Sequence, residues 1–113
     1  MTKRKARIIA ILFGGILFAV IFPYSHDMYI GWLHTVICIL LNGASCVLFA
    51  AMLGRKLAGG SLREDFGIYL WFLILLGAGH CVFAFMNWGS WLCIALSVPA
   101  LILLITDKQK HTD

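Results

Sequence analysis

Apolar positions fill this chain in four long blocks, parted by three short polar breaks and bounded by two charged ends. Ile8 to Phe22, Tyr29 to Leu53, Phe66 to Met86 and Ser90 to Thr106 each run without a Lys, Arg, Asp or Glu. A helix that crosses a bilayer needs roughly 20 mostly apolar residues, because the hydrocarbon core is about 30 Å thick and a helix rises about 1.5 Å per residue. The pattern predicts spans over about 8–24, 29–53, 66–86 and 90–106, in a single four-helix transmembrane domain covering 1–113. The breaks at Pro23 to Met28 and Asn87 to Gly89 are too short for anything but antiparallel neighbours. The expected fold is an all-α integral membrane protein built as two antiparallel hairpins.

Charge orients the spans. Lys3, Arg4, Lys5 and Arg7 precede the first, Arg55, Lys56 and Arg63 separate the second from the third, and Lys108 and Lys110 follow the fourth. All 9 basic residues then fall on one side, which the positive-inside rule makes cytoplasmic, with both termini inside. Tyr24, Tyr29, Trp32, Trp88 and Trp91 mark the outer interface, and Tyr69 and Trp71 the inner one. Bulky Ile21, Phe22, Pro23 and Tyr24 stand where a signal peptide would need small residues, so the first block reads as a helix.

Composition agrees: only 12% of residues are charged, against about 25% in a soluble domain. The net charge of +4 follows from topology and anionic headgroups, and no nucleic-acid partner is expected. The reading points to a multi-pass protein of a plasma membrane, a bacterial inner membrane by preference.

Packing inside lipid relies on small residues that let backbones approach and on polar groups that bond between helices. Ala6, Ala10 and Gly14 recur at spacing four on the first helix, Cys46, Ala50 and Gly54 on the second, and Gly77 and Cys81 on the third. The loop from Gly54 to Asp65 contains Gly59, Gly60 and Ser61 and reads as a flexible joint, with Ser61, Glu64 and Asp65 able to cap the third helix.

Polar residues within the spans concentrate on the second helix. His34, Cys38, Asn42 and Ser45 follow at spacings that share one face, and His80 on the third helix is a candidate to meet them. By helix rise His34 and His80 lie at similar depth near the outer surface, and a facing pair could ligate a b-type haem. The leading expectation is nevertheless no cofactor and no metal, with the histidines bonding across helices. Cys38, Cys46, Cys81 and Cys93 read as small packing residues, with a Cys81–Cys93 pair in an oxidising compartment as the alternative. His26 and His111 fall in polar segments and read as solvated.

Absences narrow the function. No carboxylate lies within a span, and the chain has no C-x-x-C and no P-loop. Four short helices in about this length look like the small multidrug-resistance transporters, which couple to protons through a Glu embedded in their first helix. The first helix here has no such residue, and membership is not assigned. The expected protein is non-enzymatic, without catalytic residues, and acts through helix packing with itself or a membrane partner as an accessory subunit, assembly factor or toxin-protective protein. Two alternatives are an oligomeric transporter or channel lined by the polar stripe, and a haem b electron-transfer anchor using His34 and His80.

Overall fold

The structure is a computed structural model that describes residues 2–25, 32–60, 62–83 and 88–106, with the backbone alone at Ser25, Arg63 and Phe83. The described chain is all-helical. Helix α1 spans Lys3–Ile21 and continues as a 3₁₀ turn over Phe22–Ser25. Helix α2 spans Trp32–Leu57, a second 3₁₀ turn covers Leu62–Asp65, α3 spans Phe66–Phe83, and α4 spans Trp88–Thr106. Three helical stretches are long and apolar enough to cross a membrane: Lys3–Tyr24, Trp32–Leu57 and Trp88–Thr106. The third block is apolar but shorter among the described residues, at Phe66–Val82. Residues 84–86, Tyr29, His26, Ser61, Lys108, Lys110 and His111 lie outside the described residues.

Both ends of the first long helices extend past the apolar blocks for local reasons. Thr2 caps α1, its Oγ1 accepting from the Lys5 amide at 3.2 Å, so the basic cluster forms the first helical turn. At the end of α2 the chain closes in a Schellman motif: Gly60 N donates to the Arg55 carbonyl at 2.9 Å and Gly59 N to the Lys56 carbonyl at 3.1 Å. Gly59 adopts φ 85°, which favours glycine because it has no Cβ to clash.

The connection from α2 to α3, expected to be a flexible joint, is pinned instead. Arg55 donates from Nη2 to Glu64 Oε2 at 2.6 Å and from Nη1 to Asp65 Oδ2, and its Nη1 lies 3.4 Å from the Tyr69 hydroxyl. The two carboxylates expected to cap α3 thus bind Arg55, and Leu62 is fully buried. Glycines that signal flexibility in isolation here terminate a helix.

Helix α1 packs along α2 through the small residues of both. A methyl group built on Gly14 would stand 2.9 Å from Ala50 Cβ, and one on Gly54 would stand 2.9 Å from Ala10 Cβ. These pairs run in opposite senses along the two helices, and Ala6 and Ala10 are buried between them. The other side of α2 faces α3 and α4. Leu48, Phe49, Met52, Leu62, Leu73 and Leu104 form one core there, and Ile21 at the end of α1, Cys46 on α2 and Cys93 near the start of α4 form a second. α4 continues through Pro99, which is exposed.

Candidate functional site: a buried polar network

On α2 the spacing four, four and three turns Cys38, Asn42 and Ser45 onto the face that meets α3 and α4, and all three are buried. His34 lies one turn nearer the aromatic end, half-buried, with its Nδ1 3.6 Å from Cys38 Sγ. Three of the α2 stripe residues are therefore enclosed.

Two contacts tie this face to its neighbours. Ser45 Oγ and His80 Nε2 are hydrogen-bonded at 2.8 Å between α2 and α3, with both residues shielded from the surroundings. Asn42 Oδ1 accepts from Ser90 Oγ at 3.4 Å and from Cys93 Sγ at 3.5 Å, both on α4. The three helices therefore converge on polar groups near the middle of α2 and close to the facing ends of α3 and α4. Each such bond contributes about 0.6 kcal/mol and at most about 1.7 kcal/mol within a membrane, because the separated helices would also find partners. The sum matters less than the geometry, since a slip of one turn would break every contact at once. Among the described residues His80 uses one ring nitrogen only, for Nδ1 is buried with no hydrogen-bond partner there. The ring therefore anchors α3 to α2 and does not bridge to α4.

The expectation that His34 and His80 share one depth is corrected by this pairing. Ser45 stands near the middle of α2, about 16 Å from His34 by helix rise. His80 therefore faces mid-helix, and His34 is about three turns away. An axial pair must reach the two faces of one iron, which this separation does not allow. Counting inward from the outer end of each helix misjudged their relative depth because it aligned both ends on one plane, whereas α2 extends past the facing ends of α3 and α4. Among the described residues no group of three or more His, Cys, Asp or Glu side chains could hold a metal.

Five small residues expected to pack divide by position. Ala6, Ala10 and Gly14 meet α2 as described above, whereas Gly77 has open space where a Cβ would stand and Cys81 is exposed. Gly79 is the small residue of α3 that meets α2, with Leu41 Cδ2 3.0 Å from its built Cβ position. Spacing four exists on every face of a helix, and His80 and Leu73 decide which face of α3 turns inward. The same rotation separates the cysteines of the proposed disulfide. All four cysteines are free, with Cys81 outward and Cys93 buried against Asn42.

Ser90 and Cys93 are the site residues that sequence reasoning missed as polar partners. Ser90, Cys93 and Ser97 recur at spacings three and four on α4, which was the available signal. Ser97 itself bonds back to the Cys93 carbonyl at 2.8 Å.

Compared with known proteins, the chain matches no family model, no curated protein and no solved structure.

Proposed function

We propose that this is a small, non-enzymatic, multi-pass membrane protein that acts by packing laterally against a second copy of itself or a larger membrane protein. One observation carries the reading: Asn42, Ser45, His80, Ser90 and Cys93 are buried and bonded between helices rather than lining an opening, and Cys38 is buried on the same face of α2. Groups already engaged in holding helices together are poor candidates for passing a solute. The spans also lack any carboxylate that could relay protons.

In this reading the chain crosses a bacterial inner membrane four times, as two hairpins with both termini in the cytoplasm. The support is the confinement of all 9 basic residues to one side of such an arrangement. The outward surface of α3 is the contact face we assign, because Gly77 and Cys81 are small, open and unused within the monomer. Small residues at such a face let another helix approach closely.

The exposed thiol supplies the test. Of the four cysteines only Cys81 is exposed, so oxidation of isolated membranes should link two adjacent chains, or one chain and its partner, through that residue. Gly77→Leu has room to fold and should abolish the product by holding the neighbour away. A monomer carrying only lipid in mild detergent, together with no Cys81 product in membranes, would overturn the proposal.

A further inference from the structure

We infer that the groove between α1 and α2 seats one acyl chain of an anionic phospholipid, whose phosphate is held by Lys3 and Arg7. This rests on the membrane-spanning reading but not on lateral association. The groove encloses about 920 Å³, and glycine and alanine form much of its floor. Gly14 and Gly54 bring the helices close at the bottom, while Gly15 has nothing within 4 Å of a built Cβ, so its side of the groove stays open. Phe18 lines the far end, its ring 3.4 Å from the Cβ position of Gly43.

Length and charge select the occupant. From Lys3 to Phe18 the groove follows α1 for about 22 Å, which covers the depth of one leaflet of a core about 30 Å thick. An acyl chain entering beside Lys3 could therefore lie in it for most of its length. At the basic end the lining includes Lys3, Arg7 and Arg55. Arg55 is engaged by Glu64 and Asp65, whereas Lys3 and Arg7 are exposed and have no carboxylate beside them among the described residues. A second copy in the same orientation would bring its own Lys3, Arg4, Lys5 and Arg7 to this end, and like charges would repel. An anionic headgroup satisfies the two cations while its chain covers the apolar floor.

The test is mass spectrometry of the intact, full-length protein released gently from detergent after titration with dioleoyl phosphatidylglycerol or dioleoyl phosphatidylcholine. The expected result is one retained phosphatidylglycerol per chain, bound at least about tenfold more tightly than phosphatidylcholine. Each basic side chain near a membrane surface strengthens anionic-lipid binding about fivefold, so Lys3→Gln with Arg7→Gln should weaken retention about 25-fold. That pair is exposed at the start of α1 and should leave helicity unchanged. Gly15→Trp keeps every charge but fills the groove and should also lose the lipid. Inorganic phosphate should not displace it, since a free anion lacks the chain. Equal retention of both lipids, retention unaffected by Gly15→Trp, or displacement by phosphate would each overturn the inference. A lipid-free dimer whose contact is lost in Gly15→Trp would do so too, by making a second copy the occupant. Association is read from the protein mass and lipid from the adduct, so failure of either reading is visible separately.

Discussion

The two faces of α2 are held by different physics. Toward α1 the contact is backbone against backbone, with Gly14 on Ala50 and Gly54 on Ala10, and its strength lies in dispersion at close range. Toward α3 and α4 the contact is directional, through Ser45 to His80 and Asn42 to Ser90 and Cys93. Lipid tails are as apolar as Leu, so neither face can depend on the hydrophobic effect that drives soluble folding. The close-packed face tolerates no added methyl, whereas the bonded face tolerates no loss of a polar partner.

The largest effect should follow enlargement at the first face. Gly14→Leu and Gly54→Leu each place bulk where a methyl already stands 2.9 Å from a neighbouring Cβ that cannot rotate away, and each should cost about 2 kcal/mol or more. Unfolding in a graded detergent series measures this, with Gly15→Leu as the control that should change little. An unaltered midpoint in Gly14→Leu would mean that α1 does not lie this close to α2.

Asn42→Leu attacks the second face and should cost about 1–2 kcal/mol, because it removes the acceptor of both bonds from α4. Its signature is distinct: buried Cys93 should gain reactivity toward N-ethylmaleimide while Cys81 reacts at its original rate. Ser45→Ala should cost less, about 1 kcal/mol, since the bond to His80 is lost and the cavity is small. Smallest is Arg55→Gln, below about 1 kcal/mol, because Glu64 is largely exposed and such pairs are screened. The Arg55 effect should fade at high salt, and the Asn42 effect should not.

How much of this was legible in the sequence differed between the faces. The α1 and α2 small-residue rows could be read directly, because spacing four defines a face and glycine marks close approach, although the sequence did not say that these two rows would meet each other. The α2 polar residues share a face by the same arithmetic, and Cys38, Asn42 and Ser45 are indeed buried together. Partner choice was not legible. His80 meets Ser45 instead of His34, and Ser90 with Cys93 supplies the rest, because the pairing depends on how α3 and α4 are rotated and how far they slide. Periodicity carries neither quantity. The Arg55 clamp was hidden for a related reason: a Gly-rich loop reads as flexible until the acidic residues that close it are seen to share one guanidinium.

The central claim is that the intramembrane polar groups are engaged with one another, and a double-mutant cycle on Ser45 and His80 tests it most directly. Unfolding of wild type, Ser45→Ala, His80→Leu and the double variant should give a coupling of about 1 kcal/mol, the scale of one interhelical bond in a membrane. Additive effects with no coupling would contradict the account, because His80 would then be unengaged by α2 and available to a solute path.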